Sequence, residues 1–407
     1  MKISSLRFTR KSATMRKDFL PYYKPHIDQG DIDSVTDCMT RGWLTTGPKV
    51  KEFESTFASM AGVRHAIAVN SCTAALQLGL VALGVGPGDE VVMPSLSFVA
   101  GAECVRGLGG EPVFCDVDPA TLCITPETIK PAIGPKTKVI IPMHYGGQPG
   151  GIREISALAK PLGISVLEDA AHAVGTIDGG RWPGSYSDAA AFSFYATKNI
   201  TSAEGGMLLT NDDQLAEKVR VLSLHGMDRD AWKRYMKGGT WEYDVIEVGY
   251  KCNLPDMTAV LGLSQLKKLS VLQSLRDSLA ELYIEKLASI PGVKPVAYFA
   301  QKPNRHSWCI FAISVEENDA GISRDELIEE LRIRNIGTSV HFIPTHSFSA
   351  YQRSKKVDLK TTDRISQKIL SLPLYPSMTA NDVEDVVAAL REITSAHHSM
   401  LQGMTKA

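Results

Sequence analysis

Three short stretches carry residues that could do covalent chemistry together. Lys198 lies in FSFYATKNITSAEGGMLLT (192–210), past an aromatic, strand-like run and before a turn rich in Ser, Thr and Gly. Asp169 and His172 lie in EDAAH (168–172), at the end of an apolar run. Ser71, Cys72 and Thr73 lie in NSCT (70–73), between a strand-like and a helix-like segment. Each has an ordinary reading. Lys198 could be a solvated strand-end lysine, Asp169 and His172 a turn acid and a surface histidine, and NSCT a helix N-cap. Gathered at one sheet edge they have another. Free N–H groups at a helix N-terminus suit a phosphate. A buried carboxylate keeps a pyridine nitrogen protonated, and a desolvated amine attacks a carbonyl. That is the set pyridoxal phosphate requires. The chain has no GxGxxG after a strand and no GxxxxGK[ST].

A scaffold that could gather them is legible. HAIAV (65–69), VVMP (91–94), PVFCDVD (112–118), KVIIPMHY (138–145), ISVLED (164–169) and AAAFSFY (189–195) are apolar runs rather than alternations. Strands of this kind are buried on both faces, and between helical pieces such as 72–83 they indicate βα units on a mostly parallel sheet. Ligands bind such sheets at the carboxyl ends of the strands, where all three stretches fall. From 254 to 290 the pattern predicts one long, mostly amphipathic helix bridging to a smaller α+β unit. That unit would hold strand-like SWCIFAISV (307–315), a helix over 323–335 with Ser323 and Glu326 spaced as a capping box, strand-like TSVHF (338–342) and a helix over 381–393. The expected division is a basic, disordered tail over 1–19, a large cofactor-binding domain over 20–265 and a small C-terminal domain over 266–407.

Bulk properties narrow the class. The chain has 407 residues, 44% hydrophobic and 22% charged, with 44 basic against 45 acidic side chains. A net charge of -1 makes no electrostatic case for nucleic acid. The seven cysteines form no CxxC pair, so reduced thiols and a cytoplasmic location are expected. No apolar run is long enough for a membrane span. The first seventeen residues carry six basic and no acidic side chains but no apolar core, unlike a secretory signal.

With these residues in hand, the chain resembles the DegT/DnrJ/EryC1/StrS family of sugar aminotransferases, pyridoxal-phosphate enzymes of fold type I. The motifs are GWLTTGP (42–48), AVNSCTAALQLGL (68–80), GDEVVMPSLSFVA (88–100), VLEDAAHAVG (166–175), the Lys198 stretch, VGYKCNLPDMTAVLGLSQL (248–266), NIGTSVHFIPTH (335–346) and SLPLYPSMT (371–379), in family order. GYKCN, GISRDELIEEL and SLPLYPSMT are most similar to the branch of the UDP-4-amino-4-deoxy-L-arabinose aminotransferase.

The resemblance implies an aspartate-aminotransferase-like fold: a large domain with a mostly parallel sheet plus a smaller α+β domain. It implies Lys198 as the lysine that holds the cofactor and shuttles the proton, and Asp169 as partner of the pyridine nitrogen. His172 would lie near the ring, and Phe98 would stack on its face. Ser71, the Cys72 amide, Thr73 and Ser193 would hold the phosphate. Lys251 or Asn253 would reach a partner subunit's cofactor, making a homodimer with shared sites. Tyr195, Asn199, Glu204, His341 and His346 would face the substrate, with no metal. The implied reaction passes nitrogen from L-glutamate through pyridoxamine phosphate to a nucleotide-linked keto-sugar, with C4 favoured over C3. A pyridoxamine-dependent dehydratase of the same fold would carry histidine in place of Lys198. Another fold type I enzyme fits the fold but not the two C-terminal motifs. A non-catalytic regulator would need a DNA-binding appendage or a damaged site, and neither is expected from this sequence.

Overall fold

The structure is a computed structural model and describes residues 15–228, 242–298 and 302–404. Its centre is an eight-stranded sheet of order β1-β7-β6-β5-β4-β2-β3-β10. The strands are β1 (His65–Val69), β2 (Glu90–Pro94), β3 (Glu111–Cys115), β4 (Thr137–Ile140), β5 (Ser165–Ala170), β6 (Ala189–Ser193), β7 (Gly206–Thr210) and β10 (Lys355–Lys356). Only β7 runs antiparallel to its neighbours, β1 and β6. All the apolar runs of the large sheet contain strands, and those over 112–118, 138–145 and 189–195 leave the sheet before their ends, at Cys115, Ile140 and Ser193.

Period-two alternation sends successive strand side chains to opposite faces. Ile67, Val69, Ala189 and Ala191 enter one buried cluster with the helix Cys72–Ala82. Ala66, Ala68, Ala190 and Phe192 enter another with Phe53, Phe57 and Leu263. Covering both faces explains why these strands are apolar throughout. Small residues let the helix lie close: a Cβ on Gly79 would come within 3.1 Å of Leu208 and 3.2 Å of Leu167.

A three-stranded antiparallel sheet of order β11-β9-β8 forms the second unit, from β8 (Val293–Pro295), β9 (Phe311–Val315) and β11 (Ile369–Leu372). Its core joins Phe311 and Ile313 to Tyr283, Leu327, Val386 and Leu390. The capping box is present, with Ser323 and Glu326 bonding reciprocally around the helix Arg324–Ile333.

Three expectations need correction. The helix over 254–290 is two helices, Asp256–Lys267 and Leu269–Leu287. They break at Lys268, whose amine turns to Asp28 at 2.6 Å and Asp31 at 2.5 Å. The strand in SWCIFAISV begins only at Phe311, and TSVHF contributes just one bridge, Ser339 to Ser371. The tail does not extend through residues 15–19. Arg16 pairs with Asp382 at 2.8 Å and with Asp385, and Leu20 is buried in the second core. The rest of that tail, residues 1–14, lies outside the described residues. The chain also returns to the large sheet, where β10 pairs with β3 and Tyr351 joins the large core.

Candidate active site

Four elements end at one edge of the large sheet. Strand β1 leads through Ser71 into the helix Cys72–Ala82, and β5 ends with Asp169 and Ala170. Strand β6 ends at Ser193, and antiparallel β7 begins there at Gly206. Between them lies a cavity of about 520 Å³. It is lined by Lys198, Asp169, His172, Ser193, Ser71, Cys72, Thr73 and Phe98, and also by Tyr195, Glu204 and His341. These are residues the sequence pointed to, now on one wall system.

The helix start is built for an anion. Ser71 is the N-cap, and its hydroxyl accepts from the Ala74 N–H at 3.1 Å. The N–H groups of Cys72 and Thr73 have no intrahelical acceptor, as at any helix start, and the helix dipole adds positive potential. The Cys72 thiol bonds the Ala191 carbonyl at 3.4 Å, so Cys72 offers the cavity its backbone.

This turn is possible because residue 206 is glycine. A Cβ there would fall 2.3 Å from the Ser71 oxygen and 2.6 Å from the Cys72 nitrogen. Those are backbone atoms and cannot rotate away. Gly206→Ala is therefore expected to displace the helix start, costing about 1–3 kcal/mol as an overpacked site does. Cofactor affinity should fall at least about tenfold, which equilibrium titration of the apoprotein would measure. Unchanged affinity would remove Gly206 from the cradle.

Asp169 is buried, 7% exposed, and accepts from the Ala171 N–H at 3.1 Å. Burial pushes its carboxyl up from the usual range; the Ala171 hydrogen bond and the Lys198 charge oppose this. Such a carboxylate gains from a cationic partner. Behind it, Glu168 and His144 are fully buried and paired at 2.6 Å. Glu168 also accepts from the Gly184 N–H at 2.7 Å. Burial lowers the His144 basicity, but Glu168 outweighs it and raises the pKa overall.

His172 stacks on Phe342, with ring centroids 5.8 Å apart and planes 16° apart. Burial first, then Lys198 and the neighbouring histidines, keeps its imidazole well below the ordinary range and therefore neutral. Burial and Lys198 hold His341 at about 4. Phe98 is 58% exposed and stands 6.3 Å from Phe342, so the two rings flank the cavity mouth.

Two expected substrate contacts are elsewhere. Asn199 is buried and turns away from the cavity, donating to the Ser307 carbonyl at 2.6 Å. His346 bonds Ser95 at 2.7 Å and pairs with Asp363 at 3.2 Å. Lys251 and Asn253 do not line this cavity; the Lys251 amine donates to Asn253, which in turn donates to Thr46 at 2.6 Å. Phe342, Gly206, His144 and Tyr23 were not singled out from sequence. Phe342 adjoins His341 in a quoted motif, Gly206 and His144 lie within quoted runs, and Tyr23 lies in none.

The donor set fits pyridoxal phosphate: an anion cradle, a buried carboxylate in want of a cation, and an amine on one cavity wall. The match extends to known proteins. The DegT/DnrJ/EryC1/StrS aminotransferase family model matches residues 25–391. The chain is 48% identical to the spore coat polysaccharide biosynthesis protein SpsC of Bacillus subtilis, over 93% of this chain and 98% of SpsC. The fold is similar to that of Spr1654 from Streptococcus pneumoniae in its PMP form, with TM-score 0.86, 29% identity, and 93% and 100% of the two chains covered. That protein is also solved in a PLP form. DesI, solved with its TDP-sugar product, matches with TM-score 0.85 and 30% identity over 97% of each chain.

Proposed function

The chain belongs to the DegT/DnrJ/EryC1/StrS aminotransferase family, and from that membership we propose that it transfers the amino group of L-glutamate to C4 of a nucleotide-linked keto-sugar. As a member it is a pyridoxal-phosphate-dependent sugar aminotransferase of fold type I. The proposal concerns the donor, the nucleotide and the carbon. One observation carries it: Lys198, Asp169 and the start of the helix Cys72–Ala82 meet in a single cavity. The TDP-sugar product bound by DesI supports a nucleotide-linked substrate. The resemblance of three motifs to the 4-amino-arabinose branch supports C4.

The cofactor, when bound, supplies an electron sink for the carbon that exchanges nitrogen. This chain's residues do the rest. Asp169 holds a positive charge against itself at the base of the cavity. The Cys72 and Thr73 amides, with the Ser71 and Ser193 hydroxyls, hold the phosphate. Lys198 carries the exchangeable proton, a role suited to a primary amine that forms no ion pair among the described residues. Neutral His172, stacked on Phe342, presents a hydrogen-bonding edge without adding charge. Phe98, Tyr195, Glu204 and His341 form the wall on which a sugar would rest.

The active unit in this proposal is a homodimer. Tyr243, Val245, Ile246 and Val248 are exposed, Val248 by 91%, in the segment leading to Lys251 and Asn253. Burying such a run in a second copy would remove apolar surface from water. We further propose a division near residue 265, with Tyr351 and Leu359 returning to the large core, and a cytoplasmic location, the latter supported by seven free cysteines. No described helix is long and apolar enough to cross a membrane.

The test is spectroscopic. Protein loaded with pyridoxal phosphate should lose its visible band on addition of L-glutamate, and a nucleotide 4-keto-sugar should restore it. Mass spectrometry should then find the amino-sugar. A 3-keto-sugar that restores the band faster would reassign the carbon. No response to any amino acid would overturn the transfer itself.

A further inference from the structure

Lys198 is held from behind by its own backbone. Its carbonyl accepts from the Tyr23 hydroxyl at 2.7 Å, although the two residues are 175 positions apart. The Tyr23 ring lies under the guanidinium of Arg276, whose central carbon is 5.8 Å from the ring centroid.

Arg276 is an unusual residue to bury. It is 1% exposed and forms no ion pair among the described residues. One of its nitrogens donates to the carbonyls of Trp308 and Leu374, both at 3.2 Å. Its other two nitrogens have no hydrogen-bond partner among the described residues. A buried cation without a counter-ion is costly, and an apolar side chain of similar volume would be as stable or more so. Stability alone therefore does not account for it.

Its contacts converge on the site. Three successive carbonyls of one strap are each bound by a buried side chain: His306 by Gln273 at 3.4 Å, Ser307 by Asn199 at 2.6 Å, Trp308 by Arg276. The Ser307 hydroxyl donates to the carbonyl of His172 at 2.8 Å. The strap thus ties the residue after Lys198 to the turn bearing His172, and Arg276 holds both the strap and Tyr23.

We propose that Arg276 is a positioning residue for Lys198, acting through Tyr23 and the 306–308 strap. It fixes the backbone of residues 198 and 199 against the second unit and leaves the lysine side chain free to move. The inference rests on the reading of Lys198 given above.

Two variants test it. Tyr23→Phe deletes one hydrogen bond to the Lys198 carbonyl and keeps the ring. Arg276→Met keeps most of the volume and removes the cation. Each is expected to lower kcat about tenfold with KM for glutamate little changed, the signature of lost transition-state geometry. The double variant should lose no more than either single one, since they share one path. The visible band of the lysine-bound cofactor should titrate at a pH displaced by about half a unit or more, because the amine's surroundings shift. A merely structural role would lower the melting temperature without moving that titration. If Arg276→Met does not fold, Tyr23→Phe carries the test alone. Variants that turn over and titrate as the wild type overturn the positioning role. A Lys198→Ala spectrum identical to wild type would instead bring down the reading of Lys198, and this inference with it.

Discussion

Lys198→Ala is expected to cut the transamination rate by about 10⁴-fold or more, the upper end for a lost acid–base group. The fold should survive. The side chain is half-buried on the cavity wall, and its amine forms no ion pair among the described residues. Removing it withdraws one charge that favours ionised Asp169, which can protonate instead, so the melting temperature should stay near wild type. The phosphate cradle does not depend on the lysine, and Asp169 keeps its Ala171 hydrogen bond, so the variant should still bind cofactor noncovalently. Rapid mixing with glutamate would measure the rate, and a small primary amine added to the solvent should recover part of it. A variant within tenfold of wild type would mean that another group moves the proton.

Asp169→Asn is expected to lower the rate by about 10² to 10³, as when one preorganised electrostatic partner is lost. The amide keeps the shape and can still accept from the Ala171 N–H. It cannot hold a cation. The same substitution should act oppositely on the apoprotein. Burial raises the Asp169 carboxyl above its unfolded value near 3.9. The folded state therefore binds more protons than the unfolded state in the window between the two values. Apoprotein stability then falls as pH rises through that window. Asp169→Asn should lack this slope, and saturating pyridoxal phosphate should flatten it in the wild type. Thermal denaturation against pH, with and without cofactor, would check both. Equal slopes in the two apoproteins would show that Asp169 is not held ionised at a cost.

Much of this site was legible in the sequence because its parts are local. Four- to eight-residue apolar runs bounded by turns can be buried strands on their own evidence. Asp169 and the NSCT turn follow directly from where two such runs end, whereas Ser193 came only with the family resemblance. Ser71 as N-cap and the Ser323 capping box are contacts within four residues, and both formed as the spacing required. The family motifs added roles for Lys198 and Asp169 that spacing alone left open.

The tertiary structure decided what depends on a neighbour arriving from far along the chain. Lys268 breaks a helix its periodicity would have continued, because Asp28 and Asp31 lie within reach of its amine. Asn199 leaves the cavity because the Ser307 carbonyl claims it, and His346 because Ser95 and Asp363 do. Gly206 matters only because β7 runs antiparallel beside β1 and brings it onto the backbone of Ser71. Arg276 reads in sequence as one polar position on an amphipathic helix, yet it is buried against Tyr23. Periodicity reports which face of an element is buried on average. Which side chain crosses to another element, and what it meets there, is set by packing between segments that the sequence keeps far apart.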